Sequence, residues 1–504
     1  MTQNDPSGKF RLLLISLLPF SLVLGSGGVA VAAQLPCESL STLRVPNTTI
    51  TLAQPVPAGG SSLAGLPAFC RVAATLKPSA DSEIKMEVWM PASGWNGNLE
   101  ANGNGGWSGS INPAALAAGL QRGYASAMSD LGHEGSSASF ALGHPEKLID
   151  FGYRAAHEMT VAAKAIITSH YGQAPKLAYW NGCSAGGRSA LMEAQRFPED
   201  FDGIVAGAPG LNWSGRALQS VWIAQAAHKN EASFIPPAKY SMIHAAVLKA
   251  CDAKDGVEDG VLEDPTRCRF DPKELQCIGA DGAACLTADQ VETARAIYAD
   301  VVNASTNQIV VPGFEPGSEL GWATMAGQRP FGIGADFFKY VVFKDLNWDY
   351  KSFRFDDGLA SVAQAENGEL NAMNANLKAF HDRGGKLIQY HGWSDPQISP
   401  ASSPTYYNAV VAELRSVNVQ QFYRLFMVPG MAHCGGGDGT SSFDMLGAME
   451  QWVERGRAPD HIASSRRRNE KVDRTRPLCP YPQVAHYKGT GSIDESANFV
   501  CRLP

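Results

Sequence analysis

The sequence predicts an α/β fold in which one core is interrupted by a long insertion. Apolar runs of strand length alternate with helical stretches up to about residue 210, and this alternation stops between 211 and 379. Strand-like runs return from residue 380 onward. A chain of 504 residues is long enough for such an arrangement, since about 150 residues make a typical domain.

The individual elements of the core follow from short apolar patterns. A helical spacing of apolar residues predicts a helix over 151–171. Strand-like runs occur at 86–90, 98–101, 123–128, 176–181 and 203–207, and again at 386–390 and 422–428.

The insertion has a different character. Residues 211–379 contain aromatic-rich and helical pieces, no regular strand alternation and four closely spaced cysteines. We therefore divide the chain into a leader over 1–33, a first core segment over 34–210, an insertion over 211–379 and a second core segment over 380–504.

The amino terminus predicts export. Lys9 and Arg11 precede an apolar run over 12–24, and small residues follow at 29–33. These are the basic, apolar and small-residue parts of a secretory signal peptide. A membrane anchor is the alternative, but the run falls short of the roughly 20 apolar residues that span a bilayer. The prediction is a secreted or periplasmic protein with no membrane segment after cleavage.

Charge and cysteine content narrow the function further. The net charge is −7 and no long basic run occurs, which argues against a nucleic-acid binder. An exported chain meets an oxidising compartment, so its ten cysteines are expected to form disulfides. Zinc binding is the alternative, and the absence of any C-x-x-C pair weakens it.

One motif predicts a catalytic nucleophile. The stretch 182–187 (GCSAGG) follows the predicted strand over 176–181 and leads into a helical run. This is the context of a nucleophile elbow, in which glycines let the strand and the helix approach closely. Ser184 would be the nucleophile, and the backbone N–H of Ala185 would face a developing oxyanion at the helix start.

The base and the acid are predicted from chain order. Asp395 follows the strand over 386–390 and His433 follows the strand over 422–428, which gives the order Ser, Asp, His of such hydrolases. His391 competes for the role of base, but it lies too close in sequence to Asp395 for the two to occupy separate strand ends. For His391 we expect either a place in the pocket lining or a structural role.

Two cysteines flank this constellation. Cys183 precedes the proposed nucleophile and Cys434 follows the proposed base. A disulfide between them would join both loops and, by chain entropy, stabilise the fold by on the order of 5 kcal/mol. The alternative is a catalytic Cys183, although an exported protein would tend to oxidise a lone reactive thiol.

This combination resembles the tannase and feruloyl esterase family, which also contains the mono(2-hydroxyethyl) terephthalate hydrolase. The resemblance extends from about Cys37 to Cys501. It implies an α/β-hydrolase core with an inserted lid domain, the triad proposed above and a set of five disulfides. These are Cys37–Cys70, Cys183–Cys434, Cys251–Cys268, Cys277–Cys285 and Cys479–Cys501.

A second glycine-rich stretch, 102–107 (NGNGGW), follows the predicted strand over 98–101. It resembles the oxyanion loop of these esterases, and Gly105 or Gly106 would then supply the second backbone N–H. A surface turn is the alternative. Removing one oxyanion donor typically costs roughly 10²–10³ in rate.

An acidic loop over 252–261 predicts a cation site. Its carboxylates would repel one another unless a hard cation neutralised them, although the spacing departs from the EF-hand pattern. A solvated acidic turn is the alternative. The family resemblance implies a structural Ca²⁺ site in the lid, held by side chains of Asp252, Asp255 and Asp259 and by carbonyls of Val257 and Val261.

The sequence thus predicts a secreted serine esterase that hydrolyses small aromatic carboxylic esters, feruloyl, galloyl or related, through an acyl-enzyme. Phe338 of the insertion would form a wall for the flat acyl group, with core packing as the alternative. Two other functions stay open: a calcium-dependent binding module with an inactive esterase fold, and an acyltransferase that uses the same triad.

Overall fold

A nine-stranded mixed sheet forms the centre of the computed structural model, which describes residues 34–60 and 65–504. The predicted signal peptide over 1–33 lies outside the described residues. The strands in the described part of the chain are β1 (Thr48–Val56), β2 (Phe69–Leu76), β3 (Ile84–Pro91), β4 (Asn98–Asn102), β5 (Ala125–Ser129), β6 (Leu177–Cys183), β7 (Gly203–Gly207), β8 (Val301–Asn303), β9 (Gln308–Val311), β10 (Lys386–Gly392), β11 (Tyr423–Val428), β12 (Ile462–Arg468), β13 (Lys471–Leu478), β14 (Val484–Tyr487) and β15 (Phe499–Arg502).

The central sheet has the order β1-β2-β3-β5-β4-β6-β7-β10-β11. The pairs from β1 to β5 along this order are antiparallel, and the pairs from β5 to β11 are parallel. The parallel strands therefore end at one common edge, where the loops after β6, β10 and β11 meet.

Three of the predicted strands lie fully buried at the centre of the sheet. Strands β4, β5 and β7 are buried along their whole length, as expected for strands covered on both faces by helices. The sequence predicted neither β1 nor β2. Strand β1 is an edge strand that is half-buried or exposed along its length and carries Pro55, and β2 beside it alternates buried and half-buried residues over most of its length.

Helices cover both faces of the sheet. In the described residues they are α1 (Pro113–Gln121), α2 (Pro145–Ile149), α3 (Ala155–Tyr171), α4 (Ala185–Arg196), α5 (Trp213–Ala227), α6 (Tyr240–Cys251), α7 (Ala288–Tyr298), α8 (Ala323–Ala326), α9 (Gly332–Asp336), α10 (Phe355–Glu366), α11 (Lys378–Asp382), α12 (Ser402–Glu413) and α13 (Met445–Arg455). A wider turn over Asp150–Arg154 links α2 to α3, so the helix predicted over 151–171 is present. The predicted α/β fold is confirmed.

The chain leaves the sheet between β7 and β10. This insertion contains α5 to α11 and the hairpin of β8 and β9, and its described residues add no strand to the central sheet. It has an apolar cluster of its own, which includes Ile243, Val291 and Trp322. Other parts of it, such as Trp213, pack into the main core. The exact limits at 211 and 379 and the role of a lid stay predictions.

Five disulfides link the described chain, and their pairing is the one that the resemblance implied. They are Cys37–Cys70, Cys183–Cys434, Cys251–Cys268, Cys277–Cys285 and Cys479–Cys501. The longest of the enclosed loops separates its cysteines by 251 positions and the shortest by 8. Within the described residues, no helix combines the length and the apolar character needed to cross a membrane.

A buried arginine fastens α4 to its neighbours. The guanidinium of Arg188 is fully buried and donates hydrogen bonds to the carbonyl oxygens of Gly152 (2.7 Å), Phe151 (2.9 Å) and Leu370 (3.3 Å). Burial lowers the pKa of Arg188 to about 9, although the negative charge of Glu366 acts to raise it. One side chain thus joins the helix that follows β6 to the turn before α3 and to the end of the insertion.

We expect Arg188→Lys to lower the free energy of unfolding by about 2–4 kcal/mol, because one ammonium cannot serve all three carbonyls and leaves a buried group unpaired. Denaturant unfolding followed by fluorescence measures this. Arg196→Lys, on an exposed position of the same helix, is the control and should change stability by no more than about 0.5 kcal/mol. Equal effects of the two variants would contradict the role given to Arg188.

Candidate active site

The nucleophile elbow lies where β6 ends and α4 begins. Ser184 has φ 64° and ψ −120°, a backbone conformation that side-chain-bearing residues rarely adopt. Its neighbours must be small: a Cβ on Gly186 would lie 2.9 Å from the Cα of Gly103. The predicted elbow therefore packs backbone against backbone on the predicted oxyanion loop, and both sites are positioned by the same contact.

Ser184, His433 and Asp395 form a continuous hydrogen-bonded chain. The Oγ of Ser184 lies 2.9 Å from Nε2 of His433, and Nδ1 of His433 lies 2.7 Å from Oδ2 of Asp395. Ser184 is 8% exposed and Asp395 is fully buried. The structure thus brings together the three residues that the sequence placed at the ends of three different strands.

The carboxylate of Asp395 is held by four hydrogen-bond donors. Its Oδ1 accepts from the backbone N–H groups of Gln397 (2.8 Å) and Ile398 (3.1 Å), and its Oδ2 faces the imidazoles of His433 and His391. Burial alone would raise the pKa of Asp395, but the two imidazoles outweigh it and hold that pKa well below its usual range. The group is a carboxylate at any pH near neutral.

His391 does not line the pocket. It is fully buried behind Asp395, with Nε2 3.1 Å from Oδ2 of Asp395 and Nδ1 2.7 Å from Oγ of Ser403. Of the two roles that the sequence left open, the structure favours the structural one. Since β10 continues to Gly392, His391 is still a strand residue in a buried part of the sheet.

Arg216 is a residue of this site that the sequence did not reveal. It lies on α5, is 4% exposed, and donates from Nε to the carbonyl of Gln397 (3.1 Å). Its guanidinium faces the rings of Trp213 and Phe331. Burial lowers the pKa of Arg216 to about 10, and the charge of Asp395 opposes that shift. No local pattern marks such a residue, because its partners come from two distant segments.

The backbone N–H groups predicted to face an oxyanion lie in two segments. Ala185 begins α4, so its N–H has no partner within the helix. In the loop of 102–107, Gly103 donates to the carbonyl of Asn181 (3.1 Å), and a Cβ on Gly105 would meet open space. Gly106 has φ 54°, which favours glycine.

The insertion contacts this loop directly. Nε1 of Trp107 donates to the carbonyl of Ile333 (2.9 Å), and a Cβ on Gly106 would lie 3.0 Å from Cδ1 of Ile333. The sequence pointed instead to Phe338 as the wall of the pocket. Phe338 is fully buried and stacks on Trp348 at 4.7 Å, so it belongs to the packed interior of the insertion and the pocket-wall prediction is wrong.

The Cys183–Cys434 bond links the elbow to the loop of the base. Each cysteine is adjacent to a member of the triad, and the two Cα atoms are 6.0 Å apart. Cys434 has φ 62°, a conformation outside the usual range for its residue type. The bond therefore fixes the serine side and the histidine side of the site relative to one another, and Cys183 is not a free thiol.

The acidic loop borders a small cavity of about 20 Å³, whose other walls include Arg474 and Arg476. Four of the five predicted ligands line it, namely Asp255, Val257, Asp259 and Val261. Asp252, the fifth, turns toward the loop backbone and accepts from the N–H of Gly260 (2.8 Å).

The carboxylates around this cavity differ in their partners. Asp255 accepts from the N–H groups of Val257 and Glu263, and burial raises its pKa to about 6. Asp259 forms ion pairs with Arg474 and Arg476. Among the residues that the structure describes, no three His, Cys, Asp or Glu side chains are grouped so as to hold a metal by themselves. Any cation here would need the backbone carbonyls as well.

Comparison with known proteins identifies relatives over nearly the whole chain. A family model described as tannase and feruloyl esterase matches residues 70–502. An uncharacterized esterase of Xanthomonas campestris pv. campestris is 41% identical over 97% of this chain and 94% of that protein. A probable feruloyl esterase B-1 of Aspergillus fumigatus is 34% identical over 92% of each chain.

Solved structures agree with this assignment. The crystal structure of feruloyl esterase B from Aspergillus oryzae superposes with a TM-score of 0.87 at 31% identity, covering 92% of this chain and 99% of that chain. The tannin acyl hydrolase from Aspergillus niger, at 23% identity and a TM-score of 0.77, shares the fold. The chain therefore belongs to the tannase and feruloyl esterase family and is a carboxylic ester hydrolase with an α/β-hydrolase fold.

Proposed function

We propose that the protein is a secreted serine esterase that hydrolyses aromatic carboxylic esters through an acyl-enzyme. The observation that carries this proposal is the hydrogen-bonded chain from Ser184 through His433 to Asp395. His433 takes the proton of the Ser184 hydroxyl as Oγ attacks the ester carbonyl, and then delivers it to the leaving alcohol. Water, activated by the same imidazole, releases the acid.

Asp395 and the backbone complete the proposed mechanism. The buried carboxylate holds His433 with its Nδ1 protonated, so that Nε2 is free to accept from Ser184, and it stabilises the imidazolium that forms. The N–H of Ala185 and that of Gly105 or Gly106 would stabilise the oxyanion.

The substrate class rests on the relatives and on the surface beside the oxyanion loop. Two relatives are described as feruloyl esterases, whose name specifies an aromatic acyl group. In this chain the insertion presents Ile333 against Gly106, so an apolar side chain borders the proposed oxyanion hole. Such a border suits a flat, apolar acyl group better than a sugar or a charged group.

Secretion and hydrolysis fit the remaining observations. Five disulfides suit an oxidising compartment, in line with the leader predicted over 1–33. An inactive binding module has no use for a fully hydrogen-bonded triad, so the geometry favours catalysis over that alternative. An acyltransferase would use the same triad, and product analysis separates it from a hydrolase.

We further propose that the acidic loop binds a structural Ca²⁺. The cavity bordered by Asp255, Asp259 and the carbonyl-bearing residues Val257 and Val261 offers the oxygen ligands that this ion prefers. A cation would also offset the cost of burying Asp255. Asp252 would join the ligands by turning from the loop backbone. The Cys251–Cys268 bond, which closes the ends of this segment, would keep the ligands together.

Ser184→Ala should lower kcat for a feruloyl or p-nitrophenyl ester by at least about 10⁴-fold, because no other group can form the acyl-enzyme. The same change should abolish labelling by a fluorophosphonate probe. Ser352→Ala, an exposed serine of the insertion, is the control and should react like the wild type. Wild-type turnover by Ser184→Ala would refute the serine mechanism, and transfer to added alcohols without free acid would indicate an acyltransferase.

Loss of the Cys183–Cys434 bond should affect stability and catalysis together. In the double variant Cys183→Ala/Cys434→Ala we expect the free energy of unfolding to fall by about 5 kcal/mol, which is the chain-entropy value for so long a loop. We also expect a lower kcat, because the loops that carry Ser184 and His433 are no longer held together. The control is Cys277→Ala/Cys285→Ala. That variant should lose about 2–3 kcal/mol and keep its kcat, because its short loop lies away from the triad in sequence. An unchanged kcat in the first variant would contradict the positioning role.

Removal of calcium should destabilise the protein without changing the geometry of the triad. At a Ca²⁺ concentration 100 times Kd, binding adds about 2.7 kcal/mol to the stability, which chelation would remove. We expect Asp255→Asn to abolish this calcium-dependent rise in Tm. Glu258→Gln, an exposed acid of the same loop that is not among the proposed ligands, should keep it. A Tm that is insensitive to chelator and to added Ca²⁺ would show that the loop is only an acidic turn.

A further inference from the structure

A buried hydrogen-bond chain reaches the triad from the far side of Asp395. Tyr423 and Gln389 are paired at 2.6 Å, and Gln389 and Ser403 at 2.7 Å. Ser403 lies 2.7 Å from Nδ1 of His391, and Nε2 of His391 lies 3.1 Å from Oδ2 of Asp395. All five of these side chains are fully buried, and His433 continues the chain from Asp395 to Ser184.

The chemistry of the groups in this chain determines which atom donates and which accepts in each hydrogen bond. Oδ2 of Asp395 is an ionised acceptor, so the nitrogen of His391 that faces it must carry a proton. If Nδ1 of His391 is then an acceptor, the hydroxyl of Ser403 donates to it and accepts from Nε2 of Gln389. The remaining Oε1 of Gln389 accepts from the hydroxyl of Tyr423. In this arrangement every donor faces an acceptor.

The reverse orientation is unfavourable. If Gln389 were turned, the Ser403 hydroxyl would donate to its oxygen, and Nδ1 of His391 would have to donate to Ser403. His391 would then need protons on both nitrogens, because Nε2 must still donate to Asp395. Such a cation would share the single charge of Asp395 with the imidazolium that forms on His433.

We infer that His391 is a positioning residue, held in its Nε2–H form by Ser403, Gln389 and Tyr423, which fixes Oδ2 of Asp395 for His433. Its role in the reaction rests on the proposed function. With Oδ1 held by two backbone N–H groups, the bond from His391 leaves the carboxylate one orientation, and its Oδ2 then points at Nδ1 of His433. A neutral donor achieves this without adding charge to the site.

The tautomer itself can be observed without any substrate. In protein labelled with ¹⁵N-histidine, the signal that disappears in His391→Gln belongs to His391. We expect it to show, at neutral pH, one proton on Nε2 and none on Nδ1. A proton on Nδ1, or protons on both nitrogens at neutral pH, would overturn the inference.

Kinetics of two variants test the positioning role. His391→Leu removes the donor at similar volume, and we expect kcat to fall about 10- to 100-fold with KM nearly unchanged, as for the loss of a hydrogen bond to a charged group. His391→Gln places an amide N–H near the position of Nε2 and should recover most of that loss. A Gln variant as slow as the Leu variant, or a Leu variant with wild-type kcat, would overturn the role.

The outcomes remain separate from those that test the serine mechanism. If Ser184→Ala retained turnover, the proposed function would fail, whereas the proton on Nε2 of His391 would still be present in the spectrum. If His391→Leu failed to fold, the inference would still be tested in two ways. These are the spectrum of the wild type and the kcat values of His391→Gln and Ser403→Ala. Ser403→Ala removes the group that fixes the tautomer, so we expect it to be slower than the wild type; equal rates would overturn the proposed fixing of the tautomer.

Discussion

The structure of the site depends on one buried negative charge, the carboxylate of Asp395. An ionised group without contact to water is costly unless donors and opposite charges surround it. Here two backbone N–H groups, two imidazoles and the guanidinium of Arg216 do so. These partners come from strand β10, the loop after it, the loop after β11 and helix α5 of the insertion. Compensating this charge therefore requires that the core and the insertion come together correctly.

A second constraint is the close approach of two backbones. The elbow at Ser184 and the loop of 102–107 touch through Gly103 and Gly186, where a side chain on either residue would collide with the other. This contact and the Cys183–Cys434 bond act on opposite sides of the same serine. The first relates the nucleophile to the N–H groups of the proposed oxyanion hole, and the second relates it to the base. The strained backbone of Ser184 is retained because both neighbours are fixed.

The triad was predictable because its members obey local rules. Ser184 lies in a motif whose glycines are required by the turn, and Asp395 and His433 each follow a recognisable apolar strand. The central parallel strands were found for the same reason, while the exposed edge strand β1 was not. For His391 and Phe338 the sequence left pocket lining and packing open, because residue type and position in the sequence do not say which face of an element is covered. Arg216 gave no signal, since its role exists only after α5 packs beside the loop of Asp395.

The Cys183–Cys434 bond also has an evolutionary consequence. The covalent ring that it closes contains the whole insertion and the acid of the triad. The entropy of closing a ring grows only with the logarithm of its length, so doubling the enclosed chain changes the closure free energy by about 0.6 kcal/mol. Descendants of such a chain can lengthen, shorten or replace the insertion, and with it the surface proposed to meet the substrate, while Ser184 and His433 stay tied together. The bond thereby separates the variation of specificity from the preservation of catalytic geometry.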